Sequence, residues 1–137
     1  MPDMNEKNEN KKILIVDDEP YILHVLALKL RNAGYDVLTA ADGEEGVELS
    51  LSEQPDLIIA DFQMPYMNGL EFLTEHRRRG GREIPTMLIT AREFDISDRQ
   101  AQKRGIAIVL AKPFSPQQVV EVAGRLLRKD GCSRNVA

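Results

Sequence analysis

Five short apolar runs punctuate the chain: Ile13-Leu14-Ile15-Val16, Val37-Leu38-Thr39-Ala40, Leu57-Ile58-Ile59-Ala60, Thr86-Met87-Leu88-Ile89 and Ile108-Val109-Leu110-Ala111. The first, third and fourth run without polar alternation, the pattern of strands covered on both faces, as in a parallel sheet. Longer amphipathic stretches separate them, several with helix-start signals. Asp42 precedes Glu45, Asn68 precedes Glu71 and Ser115 precedes Gln118, each at capping-box spacing. Pro116 follows Ser115 at the first-turn position, where its missing N–H is harmless. Val119, Val122, Ala123 and Leu126 form the apolar stripe of a last helix. Ile22, Val25, Leu26 and Leu30 give a first helix a less regular stripe, closed by Gly34. Ile96 to Arg104 is the weakest helical segment, mostly polar with few residues to dock.

Strand followed by helix, five times over, predicts an open α/β sandwich on a parallel sheet with right-handed crossovers. The chain of 137 residues suits one such domain, expected over residues 11–129. Residues 1–10 are rich in Asn, Glu and Asp and read as a disordered tail. Residues 130–137 read the same way, with Gly131 and Ser133 breaking the helix. An apolar share of 42% and a charged share of 29% are ordinary for a globular chain. Eighteen basic against 22 acidic residues leave a net charge of -4, which argues against non-specific nucleic-acid binding. One cysteine, Cys132, cannot build an internal disulfide or a multi-cysteine zinc site. No stretch reaches the roughly 18 apolar residues of a membrane helix, and the N-terminus has no signal-peptide core. A cytoplasmic single domain is the expectation.

In open α/β sheets, ligands bind beyond the carboxyl ends of the strands. The first predicted strand ends in Asp17-Asp18, the third in Asp61, the fourth in Thr90 and the fifth in Lys112-Pro113. The second ends in Ala40-Ala41, with nothing reactive. Each residue alone has an ordinary structural explanation as cap, turn, strand former or solvated surface. Taken together, they bring three carboxylates, a hydroxyl and an ammonium to one edge. Three converging carboxylates repel unless one binds a proton or a cation neutralises them. Mg2+ is the usual partner of a few carboxylates plus a phosphate. The full set is what phosphoryl transfer needs, with an Asp as a competent nucleophile for an acyl phosphate.

The motifs Ile13-Leu14-Ile15-Val16-Asp17-Asp18-Glu19-Pro20, Asp61-Phe62-Gln63-Met64-Pro65-Tyr66-Met67-Asn68-Gly69-Leu70, Thr90-Ala91 and Lys112-Pro113-Phe114 occur in this order. In them the chain resembles the receiver domain of two-component response regulators, of the chemotaxis type, from about Lys11 to Leu127. The resemblance implies a flavodoxin-like, doubly wound three-layer sandwich with five parallel strands in the order 2-1-3-4-5. It implies that Asp61 is the phosphoacceptor, and that Asp17, Asp18, Asp61 and the backbone carbonyl of Gln63 hold Mg2+. Thr90 and Lys112 would then contact phosphoryl oxygens, with a cis bond between Lys112 and Pro113. The implied donor is a sensor histidine kinase or a histidine phosphotransfer protein, with self-catalysed phosphorylation and dephosphorylation. The downstream protein target is unspecified, homodimerisation stays open, and neither nucleic acid nor membrane is engaged directly. No output domain is expected after the last helix, so a stand-alone regulator and a piece of a larger protein both fit.

The chain departs from the family pattern at Val109, where an aromatic residue is usual three before the lysine, and at Asn68, which replaces a frequent Asp and caps a helix equally well. A Mg2+-dependent aspartyl phosphatase of the haloacid-dehalogenase kind is the enzymatic alternative. Its nucleophile would end the first strand in an Asp-x-Asp pattern, whereas Asp17 and Asp18 are adjacent. A flavin carrier of the same topology would need a phosphate-cradling loop where Asp17-Asp18-Glu19-Pro20 stands. His24 and His76 read as isolated, Met64, Met67 and Met87 as core filler, and Arg77-Arg78-Arg79 as cations suited to a helix C-terminus.

Overall fold

The computed structural model describes residues 11–91 and 105–136, with side chains through residue 128. The predicted helix Ile96 to Arg104 lies outside the described residues, as do residues 1–10. Strands β1 (Lys12–Val16), β2 (Asp36–Ala40), β3 (Leu57–Asp61), β4 (Thr86–Thr90) and β5 (Ile106–Ala111) form one sheet in the order β2-β1-β3-β4-β5. All four pairings are parallel. The described helices are α1 (Pro20–Asn32), α2 (Gly43–Glu53), α3 (Gly69–Arg78) and α4 (Pro116–Val136). This is the expected flavodoxin-like receiver architecture. Among the described residues, no helix is long and apolar enough to cross a membrane.

Side chains alternate across a strand, so an unbroken apolar run feeds two cores. Ile13 and Ile15 of β1 join Leu26, Leu30, Val119 and Val122 on the face covered by α1 and α4. Leu14 and Val16 join Val47, Phe72 and Leu73 on the face covered by α2 and α3. β3 and β4 are buried at every residue for the same reason. β5 begins two residues earlier than its apolar run suggested. A register shift opposite Thr86 and Met87 leaves Ala107 without a partner, so Ile106 packs with the α2–α3 core and Leu110 with the other. A bulge changes which face a residue meets, and period-two reading cannot anticipate it.

The capping signals act as expected, with one refinement. Asn68 Oδ1 accepts from the N–H groups of Leu70 and Glu71, and Glu71 Oε1 accepts from the Asn68 N–H, a complete capping box. Asp42 accepts from the Glu45 N–H at 2.8 Å, but Glu45 reaches back to the N–H of Ala41. Ser115 Oγ accepts from the Gln118 N–H at 3.0 Å. In the α4 stripe Leu127 is buried, while Leu126 is only partly so. The α4 backbone stays helical to Val136, past Gly131 and Ser133, where a break was expected. A glycine in a helix costs about 1 kcal/mol, which weakens a helix without forbidding it.

α1 and α3 end alike. Gly34 has φ 102 and Gly80 has φ 91, and in each case the following residue donates back to the helix: Tyr35 N–H to the Leu30 carbonyl, Gly81 N–H to that of His76. These are Schellman closures. The second one wraps His76, which is buried rather than isolated. Its Nδ1 lies 2.7 Å from Ser50 Oγ on α2, and its Nε2 lies 2.7 Å from the Arg82 carbonyl. A carbonyl only accepts, so Nε2 carries the proton. The ring thus ties α2, α3 and the approach to β4 together. A Cβ on Gly81 would sit 2.3 Å from His76 Cε1. Gly81→Ala is therefore expected to lower stability by about 1–3 kcal/mol, the usual range for overpacking. Chemical denaturation of the two proteins measures it.

Candidate functional site

The strand register sets four chemical groups at nearly one height. Val16 pairs with Ala60, so Asp17 and Asp61 leave the sheet side by side. Asp61 pairs with Ile89 and Thr90 with Ala111, which brings Thr90 and Lys112 to the same rim. The Lys112 N–H donates to the Thr90 carbonyl at 2.9 Å, and the Lys112–Pro113 bond is cis as expected. Carboxylate oxygens of Asp17, Asp18 and Asp61 all lie within 4.8 Å of one another. Lys112 Nζ reaches Asp61 Oδ2 at 3.5 Å. The structure brings together the three carboxylates and the ammonium, and sets the Thr90 side chain, 1% exposed, at the end of the adjoining strand. Gln63 follows Asp61 by two residues, and its N–H donates to Asp61 Oδ1 at 3.3 Å.

The loop after β3 is fastened at both ends. The Phe62 N–H donates to Ile89 O at 2.7 Å, and Gly69 N–H donates to Phe62 O at 2.9 Å. Gly69 admits no side chain, because a Cβ would stand 2.9 Å from the Asp61 carbonyl and 2.7 Å from a Leu88 methyl. α3 therefore begins against the peptide that carries Asp61. Sequence reading assigned this glycine only to the motif; its close approach is a tertiary fact.

Asp17 and Asp61 are 2% and 3% exposed, whereas Asp18 is exposed. Burial pushes the Asp17 carboxyl up to about 6; the Glu19 N–H at 2.9 Å opposes this, and the Asp61 charge adds to it. Burial also raises Asp61, against the pull of Lys112. One ammonium does not balance three carboxylates. An all-oxygen donor set with surplus negative charge fits a hard divalent cation. The same carboxylates, with an ammonium at hand, also suit a phosphoryl group, which needs its charge neutralised on several sides.

The chain belongs to the response regulator receiver domain family, whose sequence model matches residues 13–123. It is 37% identical over 120 residues to the alkaline phosphatase synthesis transcriptional regulatory protein PhoP of Bacillus subtilis, covering 88% of this chain and 50% of that protein. The chain spans about half the length of the curated relatives it matches. A chemotaxis response regulator of Vibrio cholerae superposes with a TM-score of 0.77 at 32% identity, covering 85% of this chain and 98% of that one. The response regulator TrrA of Thermotoga maritima, solved with Mg2+ and BeF, superposes with a TM-score of 0.74 at 34% identity, over 85% and 99%. Receiver domains are phosphoacceptor signalling modules of two-component systems and not a classical enzyme family; the phosphatase alternative is not favoured.

Because the fold raises the Asp17 pKa above its unfolded value near 3.8, the folded state holds a proton that the unfolded chain has lost. The cation-free protein should lose stability as pH rises from about 4 to about 6, and change little on this account above that. Asp17→Asn removes the effect. At neutral pH without divalent cation, the variant should be more stable by on the order of 1–2 kcal/mol after solvent screening. The gap should shrink towards pH 4. Urea titrations at both pH values read it.

Proposed function

We propose that this receiver takes a phosphoryl group from a phosphohistidine onto Asp61, with Mg2+ held by Asp17, Asp18, Asp61 and the Gln63 carbonyl. The observation that carries the reading is the convergence of the carboxylates at one strand edge, with the Lys112 ammonium 3.5 Å from Asp61. A carboxylate oxygen of Asp61 attacks phosphorus, the bond from phosphorus to the donor nitrogen breaks, and the imidazole leaves. Lys112 already sits on Asp61 and is positioned to follow negative charge onto a phosphoryl oxygen. Thr90 closes the neighbouring strand and supplies a hydroxyl. Mg2+ bound by the carboxylates would supply the remaining positive charge. The same site supports self-catalysed phosphorylation from a small donor and later hydrolysis.

A groove of about 580 Å3 runs beside Lys112, lined by Tyr21, Ile22 and Val25 of α1 and by Pro113 and Phe114. Apolar walls next to the acceptor edge support docking of a sensor kinase or histidine phosphotransfer protein there. Tyr21, 75% exposed, stands at its mouth. Val109 lies next to Leu88 in the sheet and is 39% exposed. A β-branched side chain has few χ1 states and no ring to swing inward. The phosphorylation signal to the downstream target therefore runs through groups other than a side-chain flip at this position.

Incubation with acetyl phosphate and Mg2+ should add one phosphoryl group, read by intact mass. Asp61→Ala and chelation should each abolish the addition; labelling that persists in the variant would exclude Asp61. Lys112→Ala should leave Mg2+ affinity intact or raise it, since it removes a competing cation. Calorimetric titration decides this, and a large loss of affinity would contradict the assigned role.

A further inference from the structure

Tyr66 occupies a backbone conformation that favours glycine. Its φ is 67, and the Met67 N–H donates to the Pro65 carbonyl at 2.7 Å, which makes Tyr66 the centre of a three-residue γ-turn. Residues with a Cβ avoid this region, asparagine and aspartate least. The ring gains nothing from the fold in return, because the residue is fully exposed at 103%. Residues on both sides of it are anchored. Met64 is buried, Met67 packs over Gly43, and Asn68 holds the capping box. The backbone, rather than any contact of its own, therefore aims the phenol into solvent.

The aim matters because of where the loop lies. Tyr66 follows Asp61 by five residues on the rim of a site whose acceptor carboxylate is 3% exposed. Its loop packs with the α2–α3 core, while Tyr21 stands on α1, on the other face of the sheet. The two exposed phenols straddle the acceptor edge. A phosphohistidine cannot reach so buried a carboxylate unless its protein presses onto this rim. Asp18 and Glu19, both exposed, make the rim acidic.

We propose that Tyr66 is a specificity contact for the phosphodonor protein, seated in an apolar pocket bordered by basic side chains on that partner. The proposal rests on the acceptor reading of Asp61. Tyrosine is enriched among the residues that carry binding energy at interfaces. The γ-turn fixes the backbone that carries the phenol, and with only two χ angles the side chain costs little to order on association.

The test compares the wild-type chain with Tyr66→Asn and Tyr66→Phe. Two donors are used: acetyl phosphate, and the autophosphorylated sensor kinase that labels the wild-type chain fastest among those of the same genome. Tyr66→Asn should raise the thermal midpoint and keep its acetyl phosphate labelling rate within about twofold. It should accept phosphate from the kinase about tenfold more slowly. Tyr66→Phe should keep the wild-type rate with both donors. Unchanged transfer from the kinase to Tyr66→Asn overturns the proposal. So does equal slowing with both donors, which would make Tyr66 a support of the acceptor loop. A lowered thermal midpoint overturns the argument from backbone conformation. Failure of both donors to label the wild-type chain overturns the acceptor reading, and this proposal with it.

Discussion

Like charges brought close inside a protein must be separated, protonated or neutralised, and this sheet has no means of separating Asp17 from Asp61. The register that pairs Val16 with Ala60 sets them side by side. Burial and mutual repulsion then hold the Asp17 carboxyl towards its neutral form, while Lys112 answers part of the charge on Asp61. A site in this condition responds strongly to whatever supplies positive charge and to whatever redistributes negative charge. The acidic cluster's fitness for a hard divalent cation and for a phosphoryl group follows from the same unresolved repulsion.

The rest of the molecule keeps that repulsion from relaxing. Two cores, one on each face, fix the strands against sliding, since a shift by one residue would turn every β1 side chain to the wrong core. The loop after β3 is closed by hydrogen bonds at Phe62 and Gly69, and α3 starts hard against the Asp61 peptide. At the far end of α3, the His76 ring joins that helix to α2 through Ser50 and to the β4 approach through Arg82. Outside it, Arg78 and Arg79 hold the partly buried Glu75 carboxyl well below its usual range, at about 2. Such surface pairs add little to stability, so the buried ring is the stronger joint.

Charged groups and exposed aromatic groups occupy different parts of the rim. The charged groups lie at strand ends, where the sheet fixes their positions. Exposed aromatic groups lie just outside, Tyr21 on the first helix and Tyr66 on the loop after β3. Loops and helix starts can change side chains at small cost to the core.

The run pattern alone determined the five strands, three of the caps and the identity of the strand-end groups. Each depends on residues close in sequence: alternation, an oxygen three residues ahead of a glutamate or glutamine, an apolar run that stops at a polar side chain. The strand order came through the family resemblance, since no local pattern encodes which strands become neighbours. Tertiary structure decided the rest. His76 read as isolated because Ser50 lies 26 residues away and nothing local shows that they meet. Gly81 and Gly69 gained their meaning only from the ring and the peptide pressed against them. The bulge at Ala107, the raised Asp17 carboxyl and the outward aim of Tyr66 likewise belong to the packed chain. Burial, register and close approach are properties of pairs of segments, and a single sequence displays its segments one at a time.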